Sequence, residues 1–253
     1  AELQIKGRVH HQEMLGRNKR GELLTVEVSV EPITLNETAC LLLTARDVSL
    51  LKNAEAQIRH LAYHDPLTNL PNRALLMDRL SQQIALLKRH NLRGALMFLD
   101  RDHFQHVNYS LGHPVGDTVL KIITARLEAS VRMEDTVARL GGDEFVVLLS
   151  GLEGSRSEVS EQVRELADTL RELLSEPMFL DGQRLQVTPS IGIALIPDHG
   201  STPTDLLKRA DIALYRAKDS ERNIAQMYHN TMQKAASERL RMETDLRLAL
   251  SRG

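Results

Sequence analysis

The stretch from Val137 to Leu149 constrains this chain more than any other. Two short apolar segments, residues 137–140 and 145–149, flank Gly141-Gly142-Asp143-Glu144. A Gly-Gly pair between such segments predicts a β-hairpin, because glycine reaches the positive φ that a tight turn needs. Without Cβ atoms, Gly141 and Gly142 also let a bulky anion approach the backbone. Asp143 and Glu144 then sit at the tip of a rigid hairpin, where they can hold a metal or a reacting hydroxyl. A solvated hairpin tip accounts for the same residues, and the rest of the chain has to decide between the two.

Bulk properties exclude several function classes. The chain has 253 residues, is 42% hydrophobic and 26% charged, and carries a net charge of −2. That is enough apolar material for a buried core, with no global attraction to nucleic acid or anionic lipid. Trp is absent and only four Tyr and four Phe occur, which argues against a base-stacking nucleic-acid surface. No stretch is long and apolar enough to predict a membrane span, and no signal-peptide pattern is present. The single cysteine, Cys40, lies in the apolar run 39–43 and reads as a small buried hydrophobe without a disulfide partner. A cytoplasmic protein is expected.

Residues 22–46 read as strands. Leu24, Val26, Val28 and Val30 alternate with polar residues, giving one wet face, and the run 39–45 reads as a second, more buried strand. Asp47 is placed to cap a helix to about His64, with Leu51, Ala54, Ile58 and Leu61 at coiled-coil-like spacing; an amphipathic helix lying on its own domain fits equally. Pro66 and Pro71 end that helix. Asn72 caps a helix over 73–90, closed by Asn91 and Gly94. The apolar run 95–99 predicts a central strand, ending in Asp100-Arg101-Asp102. Further helices are expected after Asp117, over 158–175 and over 203–218. A hairpin is expected over 180–187 with Asp181-Gly182 as its turn, and a strand over 190–196 whose Gly192 implies close backbone approach. The last helix, 229–253, carries apolar residues with no evident home in the preceding domain. The alternation of strands and helices, interrupted by hairpins, favours an α/β or α+β fold with a mixed sheet over a doubly wound one. No Gly-x-Gly-x-x-Gly or P-loop pattern occurs.

Several stretches taken together resemble the GGDEF family of diguanylate cyclases. They are residues 65–73 (DPLTNLPNR), 100–104 (DRDHF), Asn108, 112–117 (GHPVGD), 141–145 (GGDEF), 190–194 (SIGIA) and 210–218 (ADIALYRAK). They follow the family's order from about 62 to 228. The resemblance implies a palm-like nucleotidyl-cyclase fold, with a central mixed, mainly antiparallel sheet flanked by helices. It implies condensation of two GTP into cyclic di-GMP by a homodimer whose sites face each other. Asp100 and Asp143 are then implied to ligate Mg²⁺ (or Mn²⁺), assisted by the Arg101 carbonyl, with Asp143 as proton acceptor and Glu144 as a supporting acid. Gly141 and Gly142 would admit the triphosphate, and Lys218 and Arg222 would hold phosphates. Asn108 and Asp117 would read the guanine edge, with His113 near the nucleoside. Arg132 and Asp135 match the family's Arg-x-x-Asp motif, at which cyclic di-GMP inhibits; a charged helix-to-strand turn is the plainer reading.

The same resemblance divides the chain. Residues 1–46 resemble the final strands of a PAS domain, 47–64 a signalling helix, 65–228 the GGDEF domain, and 229–253 a connector toward an EAL phosphodiesterase domain. Three positions depart from the family. Gln105 stands where Lys is usual, Tyr109 where Asp follows the guanine-binding Asn, and Glu221 where Gly precedes the phosphate-binding Arg. A neutral amide donates a weaker hydrogen bond than an ammonium, so a GTP-binding regulatory module that controls a downstream phosphodiesterase is the competing expectation.

Overall fold

The computed structural model describes residues 9–180 and 182–233. The expected connector helix therefore lies largely outside the described residues, as do residues 1–8 and the Asp181 half of the 181–182 turn. The chain divides into two units, one up to Ala62 and one from Tyr63 onward.

The first unit is a three-stranded antiparallel sheet in the order β1 (Val9–Arg17), β2 (Leu23–Leu35), β3 (Thr38–Asp47). The alternation expected on β2 appears at Val28 and Val30, which are buried, whereas Leu24 and Val26 are half-buried like the polar residues between them. The expectation that the 39–45 run is the more buried strand is wrong. β3 is an edge strand paired only with β2, and Leu41, Leu42 and Leu43 are 59%, 47% and 63% exposed. Cys40 is half-buried rather than buried. Helix α1 (Ser49–Tyr63) follows. It starts where Asp47 accepts the Ser49 N–H at 2.9 Å and Ser49 Oγ accepts the Thr25 N–H at 2.8 Å. It buries none of its residues.

The second unit is built on a five-stranded sheet. Its elements are α2 (Arg73–His90), β4 (Arg93–Arg101), α3 (Phe104–Leu111), α4 (His113–Ser130), β5 (Thr136–Gly141), β6 (Glu144–Leu152), α5 (Arg156–Leu174), β7 (Met178–Leu180), β8 (Gln183–Leu185), β9 (Pro189–Ile196), α6 (Pro203–Ser220) and β10 (Ala225–Met227). The sheet order is β10-β9-β4-β6-β5, and only β10 runs parallel to its neighbour. This is the mixed, mainly antiparallel sheet that the sequence implies.

Its central strand explains the continuous apolar run. Ala95, Met97 and Leu99 join the core formed with Ile123 and Leu127 of α4 and Val163 and Leu170 of α5. Leu96 and Phe98 join the core formed with Leu76 and Leu80 of α2 and Leu206 and Leu214 of α6. Both faces of β4 are covered, so neither register of its alternation is polar. Asn72 caps α2 by accepting from Ala74 N and Leu75 N, and Asn91 closes it in the left-handed region. α5 opens with a capping box between Ser155 and Glu158. Gly192 permits the expected close approach, since a Cβ there would collide with the backbone of α6 at Ala210 and Leu214.

Besides the short strand β10, two helical features differ from expectation. Residues 104–111 form a short helix that the periodicity did not reveal, and α4 starts at His113, before the expected Asp117. Pro114 in its first turn has no N–H to leave unsatisfied, which suits a helix start.

Candidate active site

The hairpin expected at residues 137–149 is β5–β6, with Gly141 at φ +144 and Gly142 at φ +52. Its tip is tied down by Arg139. That guanidinium donates to the Gly142 carbonyl at 2.6 and 3.1 Å and to Asp65 Oδ1 at 2.7 Å, while the Arg139 N–H donates to the Pro71 carbonyl. Asp65 is itself held by Thr68 N and Oγ1. Burial raises its proton affinity, but the Thr68 and Arg139 bonds outweigh that and keep the carboxyl below its usual range. The 65–73 stretch thus acts as a clip on the hairpin. A lone Arg inside an apolar strand was the signal in the sequence, since a buried guanidinium needs partners.

Asp100, at the end of β4, and Asp143, at the hairpin tip, line one cavity of about 280 Å³ with Lys218, Arg222, His103, Gln105 and His106. Lys218 Nζ lies 2.5 Å from Asp100 Oδ1. Burial, reinforced by the charges of Asp143 and Glu144, pushes Asp100 up to about 6 despite the Lys218 bond. A divalent cation beside Asp100 would oppose that shift by favouring its carboxylate form. Among the described residues no group of three or more His, Cys, Asp or Glu could hold a metal ion. The cavity does bring two carboxylates together, those of Asp100 and Asp143. That suits Mg²⁺, which is usually held by one or two carboxylates plus phosphates.

Asp102, the second acid of the Asp-x-Asp stretch, is structural. It accepts from Thr188 Oγ1 at 2.9 Å, Ser190 Oγ at 2.8 Å and Asn223 N at 3.0 Å. It thereby pins the turn after α6 that carries Arg222. Arg222 and Asn223 take the positive φ values there, 53° and 49°. Glu221 sits at φ −120, so the backbone does not require glycine at that position.

The other expected residues fall outside this cavity's lining. Asn108 is half-buried on α3, with its side chain against Gly116, where a Cβ would collide with Asn108 Oδ1. His113 and Asp117 are exposed on the first turns of α4. Tyr109 is 95% exposed. Glu144 lines a neighbouring cavity of about 330 Å³ with Arg73, Lys208 and Asp211. Burial, then the charges of Asp211 and Asp143, raises its proton affinity. Burial likewise raises Asp211, against Lys218; the sequence reading gave Asp211 no role. Arg132 and Asp135 line a separate cavity of about 530 Å³ together with Gln162 and Glu165 of α5. Asp135 also closes the turn, accepting from Arg132 N and Ser150 N at 3.0 Å each. Among the described residues no helix is long and apolar enough to cross a membrane.

Comparison with known proteins agrees with this geometry. Residues 62–224 match the family described as diguanylate cyclase, GGDEF domain. The bifunctional diguanylate cyclase/cyclic di-GMP phosphodiesterase MucR of Pseudomonas aeruginosa is 42% identical over 202 residues, covering 80% of this chain and 29% of MucR. The chain thus spans less than a third of that relative. The GGDEF domain of TpbB from P. aeruginosa superposes with a TM-score of 0.65 at 39% identity, covering 69% of this chain and 99% of that one. The coiled coil and GGDEF domain of DgcB from Caulobacter crescentus, in complex with c-di-GMP, superposes at 0.58 and 27% identity, covering 71% and 93%. The match over residues 62–224, with relatives at 42% and 39% identity, shows that this chain belongs to the GGDEF family of diguanylate cyclases.

Proposed function

We propose that the second unit condenses two GTP molecules into cyclic di-GMP. The observation that carries this reading is the convergence of Asp100, Asp143, Lys218 and Arg222 on one cavity. In each of two facing copies, the 3′-hydroxyl of one GTP attacks the α-phosphate of the other. Each attack forms one O–P bond and breaks one α–β anhydride, so one cyclic di-GMP, two pyrophosphates and two protons result. Asp100 and Asp143, with the Arg101 carbonyl, would hold Mg²⁺, whose chemistry there is to neutralise phosphoryl charge and ease loss of the hydroxyl proton. Asp143 accepts that proton. Lys218 and Arg222 take phosphate oxygens, and Asn108 and Asp117 read guanine through an amide and a carboxylate. The helix α1, with Leu51, Ile58 and Leu61 all exposed, is suited to pairing the two copies.

Cyclic di-GMP is the proposed inhibitor at Arg132 and Asp135. The cavity beside them and the c-di-GMP complex of DgcB support this. The domain assignments stand as part of the same reading: residues 1–46 as PAS-type strands, 47–64 as a signalling helix, 65–228 as the cyclase domain and 229–253 as a connector to an EAL-type domain. A second reading, a GTP-binding regulator of a phosphodiesterase, is favoured by the neutral Gln105 and by the bifunctional description of MucR. Incubation with GTP and Mg²⁺ separates the two. Cyclic di-GMP is expected from the wild-type chain and none from Asp143→Ala at unchanged melting temperature. GTP bound without product would favour the regulator.

A further inference from the structure

The Arg101 guanidinium is a buried charge at the candidate site that the proposed reaction leaves unused. Along β4, Ala95, Met97 and Leu99 enter one core, and Arg101 continues that series. The residue is only 5% exposed. Its Cζ lies 5.8 Å from the ring centres of both Phe104 and Phe145, so two aromatic faces hold it in place. Its Nε is buried without a hydrogen-bond partner, and no ion pair is formed by its side chain among the described residues. A guanidinium stays protonated inside proteins, so Arg101 is a buried cation. Arg126 and Arg139 are the like charges it faces.

A buried charge without a direct partner is strongly unfavourable unless something else compensates for it. Arg101 lines the 280 Å³ cavity together with Asp100, Asp143, Lys218 and Arg222. A water-sized gap of about 10 Å³ lies between Arg101, Ile123, Leu127 and Phe145. On the α3 wall of the same cavity, position 105 offers only a neutral amide. The geometry points to Arg101 as a fixed cation behind the phosphate cavity, supplying to the bound triphosphate the positive charge that Gln105 does not. The inference rests on the reading that this cavity takes GTP. A charge held in a dry, preformed setting stabilises a phosphoryl group without reorganising when the substrate arrives.

The test uses 3′-deoxy-GTP, which lacks the attacking hydroxyl and so reports binding without turnover, titrated calorimetrically with Mg²⁺. Arg101→Met is expected to weaken its binding at least about tenfold, leave guanosine binding unchanged, and leave the melting temperature equal or higher, because an apolar side chain replaces a buried charge. Turnover of GTP should fall by roughly 10²-fold, as on removing one preorganised donor. Gln105→Lys should restore binding in the Arg101→Met background and tighten it less than about threefold in the wild-type chain. Wild-type affinity in Arg101→Met, or equal loss of guanosine and nucleotide, overturns the assignment. Should Arg101→Met not fold, the single Gln105→Lys variant decides, since a tenfold or larger gain there means that Arg101 does not supply the charge. A wild-type chain that fails to bind the analogue ends the GTP reading as well, whereas binding unaffected by Arg101→Met ends this inference alone.

Discussion

β3 and β4 carry nearly interchangeable apolar runs, Ala39-Cys40-Leu41-Leu42-Leu43 and Ala95-Leu96-Met97-Phe98-Leu99. One lies in the open and the other at the centre of a core. β4 is third of five strands, with helices over both faces. β3 is an edge strand in a sheet of three, paired with β2 alone among the described residues. An apolar run therefore predicts a strand, but burial is conferred by the layers packed on it. The end of β4 also becomes a site, because the neighbouring hairpin tip and the end of α6 meet it there.

The contrast can be broken most directly by truncation. Leu96→Ala, at a side chain with no exposure, should destabilise the second unit by about 3–5 kcal/mol. Leu42→Ala on β3 should stay within about 0.5 kcal/mol, as for exposed positions generally. Denaturant midpoints measure both, and equal costs would mean that β3 is covered in solution by something that buries it.

A smaller effect concerns pH. His199, buried beside Tyr228, accepts the Leu195 N–H on Nδ1 at 3.0 Å. Burial, with the Arg156 charge behind it, lowers it from 6.5 to about 4. The folded chain thus keeps this imidazole neutral while the unfolded chain protonates it first. Its contribution is complete above about pH 6.5 and is lost as pH falls from there toward 4, on the order of 3 kcal/mol at most. His199→Asn, which keeps an acceptor but cannot titrate, should flatten that limb of the stability profile. An unchanged profile would assign the acid loss to other groups.

The smallest expected change in stability sharpens the distinction between packing and recognition within one turn. Asp135→Ala should cost about 1–2 kcal/mol through its lost bonds to Ser150 N and Arg132 N. Arg132→Ala, at an exposed side chain, should cost almost nothing. Both should abolish calorimetric binding of cyclic di-GMP. Binding retained in both would leave residues 132–135 as a turn and no more.

Much of the second unit was legible because its signals are local. Asn72 and Asn91 bracket α2, the Gly-Gly pair sets the β5–β6 turn, and the β4 run announces a central strand. The convergence of Asp100, Asp143, Lys218 and Arg222 was anticipated only through resemblance, since nothing local links positions so far apart. α3 was not legible: it is eight residues long, too short for periodicity to register, and its N-cap His103 makes no side-chain cap bond. β10 escaped for a related reason, being three residues that pair in parallel with β9.

By itself the sequence determined where most strands and helices form, where the hairpin turns, and which carboxylates, amides and cations the chain has to offer. Those properties are set by propensity, periodicity and functional-group chemistry within a few residues. The tertiary structure alone decided that β3 is exposed and that Glu144 opens on a neighbouring cavity. It also decided that Asp102 anchors a turn and that Arg101 lies between Phe104 and Phe145. Each of these depends on which distant segment packs against the residue, and packing partners are fixed by the closure of the whole core.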